Sequence, residues 1–285
     1  MKSFCIKTNN TDILDYLLER IEELDFEDLV YSKKQYKIYQ NIMVHYLGES
    51  QKEFNQFLCN LVEEVIIEFY EEKIMKQLIN YNYFYFDEYE KTKILDNCLQ
   101  MTDTEEYREC IQENKVIQKE IEKYILENKS VILDGFVYFR LQEYTKFIDK
   151  LVDDSVNQFV IEKEYTEFIS LLRIYVESRQ PEYKMLHLIY NHGESILLDE
   201  EKNVVSVSDN IYNAKYLSDI SFSSNDYALN TLLTLLPKKI EIHLIDKEDE
   251  FINTLKLIFE DRISICKECN ICKTYRLLNS AKIIH

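Results

Sequence analysis

Two hydrophobic periods alternate along the chain. Phe4 and Ile6 alternate with polar neighbours and predict a short strand. Ile13, Leu14, Leu17, Leu18 and Ile21 then recur at helical spacing behind a cap at Asn10 or Thr11, so an amphipathic helix follows. Residues 28 to 47 return to period two, through Ile38, Ile42, Val44 and Tyr46, and read as one or two strands ended by Gly48. Ser50 and Glu53 form the S-x-x-E pattern of a capping box ahead of a long helix striped by Phe54, Phe57, Leu61 and Val65. The run Tyr81-Asn82-Tyr83-Phe84-Tyr85-Phe86 breaks the pattern. It reads as a packed strand or connector, and its tyrosines combine apolar area with a polar tip suited to contacts.

Residues 87 to 180 contain almost no Gly or Pro and keep the helical period, ending in a long helix, or two nearly collinear ones, closed by Pro181. Beyond it, Met185–Tyr190 and Ser195–Asp199 flank Asn191-His192-Gly193-Glu194, a hairpin signal. A helix before Pro237, a strand through Ile240, Ile242 and Leu244, a helix over about 247 to 260 and a strand at Ile263 and Ile265 complete the pattern. Strand, helix and strand at this spacing imply a parallel crossover. The fold class is therefore α+β (mixed). Three regions are expected: residues 1–86, an N-terminal α/β region; 87–180, helical; and 181–285, a small C-terminal α/β module with a Cys-rich tail.

Composition narrows the function classes. Acidic side chains outnumber basic ones 52 to 34, a formal charge of −18 that disfavours nucleic acid and anionic lipid as partners. Residues 181–285 hold 16 acidic and 12 basic side chains, so most of the acidity lies before them, on helices whose solvated faces account for it. No run reaches the roughly 18 apolar residues of a membrane span, and the N-terminus lacks the apolar core of a signal peptide. Seven cysteines, four of them scattered at Cys5, Cys59, Cys98 and Cys110, suit reduced thiols in a cytoplasm.

The three glycines, Gly48, Gly135 and Gly193, stand far apart, so neither a Rossmann fingerprint nor a P-loop is present. The sharpest chemical pattern is Cys266-Lys267-Glu268-Cys269-Asn270-Ile271-Cys272. Thiolates three residues apart converge on one metal across a tight turn. Zinc needs a fourth ligand, for which His285 is the candidate with His243 behind it. The spacing also matches the start of a ferredoxin-type iron–sulfur run, whose fourth cysteine is replaced here by Arg276. Lys267, Lys273, Arg276 and Lys282 are placed to favour thiolate. A redox-active or simply surface-exposed cysteine cluster is the alternative. His187 and His192, five apart on a strand, point to opposite sides, and His243 is expected on the less buried side of its own strand. Asp246, Asp249 and Glu250 follow that strand. They suit a Mg2+ site for phosphoryl transfer or, with Asp246 as the cap, the first turn of a helix.

The block Asp134-Gly135-Phe136-Val137-Tyr138-Phe139-Arg140-Leu141-Gln142-Glu143-Tyr144, followed by Glu164-Tyr165-Thr166-Glu167-Phe168-Ile169-Ser170-Leu171-Leu172-Arg173, resembles the YtxC-like family of sporulation proteins. The resemblance covers roughly residues 1 to 265 and leaves out the cysteine tail. It implies a cytoplasmic protein of endospore-forming Firmicutes and no catalytic residue or cofactor. In these blocks Arg140 and Tyr144 are expected to share a helix face, as are Arg173 and Glu177, with Glu143, Glu164 and Glu167 as partners for the arginines. Arg140, Tyr144, Glu164 and Arg173 are thus the candidate binding cluster, with a structural ion pair as the plainer role. The functional expectation is a protein partner and contact-mediated action rather than catalysis.

Overall fold

The computed structural model describes residues 1–24, 26–105, 107, 109, 111, 116–205 and 223–282, the side chains beyond 277 apart. The chain divides into two compact units, Met1–Ile161 and Glu162–His285. The sequence pattern had suggested three regions. The helical stretch does not stand alone, because its helices bury their apolar faces in the cores of the two units.

In the first unit, β1 (Lys2–Thr8), α1 (Thr11–Glu23), β2 (Leu29–Gln35), β3 (Gln40–Tyr46) and α2 (Gln51–Asn82) follow the expected order. α3 (Glu88–Thr102), α4 (Val116–Glu127), β4 (Ser130–Ile132), α5 (Leu133–Arg140) and the first part of α6 (Gln142–Ser178) complete it. The sheet order is β2-β3-β1-β4, antiparallel except for β4, which runs parallel to β1. Asn10 caps α1 as expected. At Ser50 only half of the capping box forms: its hydroxyl accepts from the Glu53 amide, but the Glu53 carboxylate accepts instead from Tyr46 Oη at 3.1 Å. Tyr46 stacks on Phe54 and passes so close to Gly48 that a Cβ there would overlap its ring. The Tyr-rich run is the end of α2 and a turn, with Tyr81, Phe84 and Tyr85 exposed.

Inside this unit, Glu71 of α2 is only 6% exposed. Tyr107 Oη donates to its carboxylate at 2.8 Å and Tyr144 Oη donates to the same oxygen. Burial lifts the Glu71 carboxyl above its ordinary range, and the two tyrosine hydrogen bonds offset part of that shift.

The second unit contains the remainder of α6, β5 (Tyr183–Asn191), β6 (Glu194–Leu198), α7 (Ser224–Leu235), β7 (Pro237–Leu244), α8 (Glu250–Phe259), β8 (Ile263–Ile265) and α9 (Asn270–Lys282). The sheet order is β6-β5-β7-β8; β5, β7 and β8 are parallel, which realises the expected crossover, and β6 is antiparallel. His192 and Gly193 both have positive φ, 50° and 79°, the backbone a two-residue type I′ hairpin requires.

The two faces of this sheet are unlike. Leu186, Leu188 and Tyr190 of β5, with Ile240 and Ile242 of β7, share a hydrophobic cluster with helical residues such as Leu232 and Leu255. The alternate positions, His187 and Ile189 of β5 and Glu241 and His243 of β7, belong to no hydrophobic cluster. α9 packs against β7.

Candidate metal centre

Parallel pairing of β7 with β8 brings together residues distant in sequence. The Cys266 amide, just past β8, donates to Ile242 O at 2.9 Å, which sets Cys266 beside His243. The chain then turns, and Cys269 takes the cap position of α9, its carbonyl accepting from Lys273 N at 3.0 Å. Cys272 falls on the first turn of the helix. The x2 spacing therefore straddles a helix N-terminus, and both sulfurs turn back toward the sheet.

Four donor atoms converge: His243 Nδ1 and the sulfurs of Cys266, Cys269 and Cys272 lie within 4.8 Å of one another. Cys269 Sγ is 3.8 Å from Cys272 Sγ, which is 3.9 Å from Cys266 Sγ. His243 Nδ1 is 3.3 Å from Cys269 Sγ and 3.5 Å from Cys272 Sγ. Tetrahedral zinc, with Zn–S about 2.3 Å and Zn–N about 2.0–2.1 Å, puts its ligands about 3.8 Å apart sulfur to sulfur and about 3.5 Å apart sulfur to nitrogen. The observed separations match those edges. They are too long for a disulfide, about 2.05 Å. They also fit one ion better than an iron–sulfur cluster, whose bridging sulfides hold the ligand sulfurs much farther apart.

The electrostatics of the cluster point the same way. Desolvation and the neighbouring sulfurs push the Cys266 thiol up to about 12. At Cys269 desolvation also raises the pKa, but the Cys272 amide and the adjacent thiols overcome it and draw the group below its ordinary value. The groups that lower it are thus the first-turn amides and sulfurs; Arg276 lies 3.8 Å from Glu268, and the Lys282 side chain lies outside the described residues. Three sulfurs this close do not all ionise without a cation among them. His243 is 1% exposed, and desolvation lowers its pKa against the opposing charge of Glu241, with His187 and Lys202 lowering it further. Its imidazole is therefore neutral and keeps a lone pair for a metal.

His243 faces away from the hydrophobic core, as its alternation indicates, but it is not on a less buried side: α9 covers it. Among the described residues it is the side chain that joins the three cysteines; His285, the other candidate ligand, lies outside them. Its ring is supported in turn. His243 Nε2 is 3.0 Å from His187 Nδ1, and His187 Nδ1 is 3.2 Å from Glu241 Oε2. His187 and His192 do point apart: His192 sits at the surface with its Nδ1 3.0 Å from Asp246 Oδ2.

The other candidate residues are placed differently. Asp249, not Asp246, caps α8, accepting from Ile252 N at 3.3 Å and also from Tyr190 Oη. The helix begins at Glu250, and Asp246, four residues earlier, faces His192 instead. Among the described residues, only the Cys3His group and His187, Glu241 and His243 bring three or more such ligands together, so Asp246, Asp249 and Glu250 form no such cluster. Arg140 is exposed at the end of α5, whereas Tyr144 is 1% exposed and bonded to Glu71. They share no helix face, because the helix breaks at Leu141. Arg173 pairs with Glu260 at 3.0 Å and donates to Leu257 O at 3.2 Å, rather than to Glu177 or Glu164. Glu164 is exposed, and Lys163 and Glu167 pair at 3.9 Å along the helix. Arg140 and Tyr144 belong to the first unit, Glu164 and Arg173 to the second.

The fold is thus that of an α+β protein with two mixed sheets and a cysteine–histidine cluster built on the second. The YtxC-like family matches residues 56–264, and the chain belongs to that family. A relative from Bacillus subtilis (strain 168), described as "Uncharacterized protein YtxC", is 23% identical over 214 residues, 72% of this chain and 75% of the relative. No solved structure matches the chain. The family match takes in His243 and ends two residues before Cys266. Among the described residues no helix is long and apolar enough to cross a membrane.

Proposed function

We propose that the second unit is a zinc-binding module, in which Cys266, Cys269, Cys272 and His243 hold one structural Zn2+. The carrying observation is the set of sulfur–sulfur and sulfur–nitrogen separations, which reproduce the edges of a zinc tetrahedron. Four protein ligands leave no open position, so the ion organises structure rather than activating water. It locks α9 onto the sheet face of His187, Glu241 and His243, which among the described residues belong to neither hydrophobic cluster, and so adds there to what apolar packing does on the other face. Elemental analysis of anaerobically purified full-length chain is expected to find at least one zinc per chain. A content far below one after reloading with Zn2+ contradicts the reading.

A second reading is a role in spore formation, in the cytoplasm, through contacts with a protein partner. It is supported by the family and by the exposed aromatics Tyr81, Phe84, Tyr85 and Tyr89 beside the end of α2. Capture of a tagged copy from sporulating cells is expected to recover a near-stoichiometric protein that a Tyr81→Ser, Phe84→Ser double variant loses. Recovery of the tagged chain alone contradicts it.

A further inference from the structure

The atoms behind His243 form a second convergence. His187 Nδ1 is 3.0 Å from His243 Nε2 and 3.2 Å from Glu241 Oε2, and the three residues bring one donor atom each within 4.8 Å of one another. His187 and His243 are both buried, and His187 lies opposite Glu241 in the parallel register of β5 and β7. Sheet pairing therefore fixes the trio.

Hydrogen bonding does not satisfy this arrangement once His243 Nδ1 serves the cysteines. The neutral ring then carries its proton on Nε2. If His187 Nδ1 is a lone pair, it accepts from that N–H, but the Glu241 carboxylate faces a lone pair at 3.2 Å. If His187 Nδ1 bears a proton, Glu241 is satisfied, but two N–H groups meet across 3.0 Å. A divalent cation in place of the contested proton removes the conflict. Bonds of about 2.0–2.2 Å to nitrogen and carboxylate oxygen put neighbouring ligands about 2.9–3.4 Å apart, depending on geometry, and both separations from His187 Nδ1, 3.0 and 3.2 Å, fall in that range.

We infer that His187, Glu241 and His243 Nε2 form a second site for a borderline divalent ion such as Zn2+, bridged through the His243 ring to the ion held by the cysteines. Binding there displaces the Nε2 proton to solvent and converts the ring to a bridging imidazolate. Two His and one Glu leave a coordination position free, unlike the closed cysteine site. The inference rests on the zinc reading above, and metal counting separates the two.

The experiment titrates metal-free full-length chain with Zn2+ under reducing conditions and counts bound ions by native mass spectrometry. Two per chain are expected for the wild type, one for Glu241→Gln, and one for the double variant Cys269→Ser, Cys272→Ser. Co2+ in place of Zn2+ is expected to give a thiolate charge-transfer band with the first equivalent, unchanged in Glu241→Gln, and no further band with the second. One ion in both the wild type and Glu241→Gln, lost in the cysteine double variant, overturns the second site and leaves the cysteine site standing. Two ions in the cysteine double variant overturn the cysteine site instead. No bound ion in the wild type overturns both.

Discussion

Replacing Cys272 by serine is expected to weaken zinc binding by about a hundredfold or more. Structural zinc sites contribute roughly 10–16 kcal/mol at neutral pH, so removing one of four ligands forfeits on the order of 3 kcal/mol. Cys272 is 1% exposed, and its sulfur lies 3.5 Å from His243 Nδ1 and 3.8 and 3.9 Å from the sulfurs of Cys269 and Cys266, at the centre of the cluster. The same change is expected to release α9, which the proposed ion would hold on the sheet. Competition with a chelator reads the affinity, and amide exchange over residues 270–277 reads the docking. The control is Cys59→Ser. Cys59 lies in the first unit, and burial raises its thiol pKa to about 12, so it takes no part in the site. Zinc affinity in Cys272→Ser within a few-fold of wild type contradicts the account.

The second large effect concerns the first unit. Glu71→Ala leaves Tyr107 and Tyr144 hydroxyls buried without this acceptor and opens a cavity, a cost of about 3 kcal/mol. Glu71→Gln keeps an acceptor and costs about 1 kcal/mol or less. The pH dependence has a definite sign. Because burial raises the folded-state pKa of Glu71 above its unfolded value, the contribution of this group to stability is largest at low pH and is lost as the pH rises through the folded pKa. Wild type is therefore expected to gain stability relative to Glu71→Gln between about pH 7 and about pH 5. Urea unfolding of both proteins at the two pH values measures this. An alanine variant within about 0.5 kcal/mol of wild type, or a difference of the opposite sign with pH, contradicts it.

Much of the fold is legible in the chain because local periodicity survives in it. The alternation at Phe4 and Ile6, the stripe from Ile13 to Ile21 and the His192-Gly193 turn each report their element directly. β4 is not legible: three residues are too few for a period, and its pairing with β1 spans more than a hundred positions. The break at Leu141 is equally silent, since no Gly or Pro marks it, and it separates Arg140 from Tyr144. The cysteine triad announces itself by spacing, but its fourth member does not. The sequence offers both His285 and His243 for that role, and what brings His243 forward is the register that pairs Ile242 with Ile265 and so sets it alongside Cys266. His187 and Glu241 needed the further pairing of β5 with β7.

X-ray absorption at the zinc edge, on full-length chain loaded with a single equivalent of Zn2+, tests the central claim most directly. The account predicts three sulfur neighbours at about 2.3 Å and one nitrogen at about 2.0–2.1 Å, with the nitrogen lost in His243→Ala. A first shell of nitrogen and oxygen alone contradicts it.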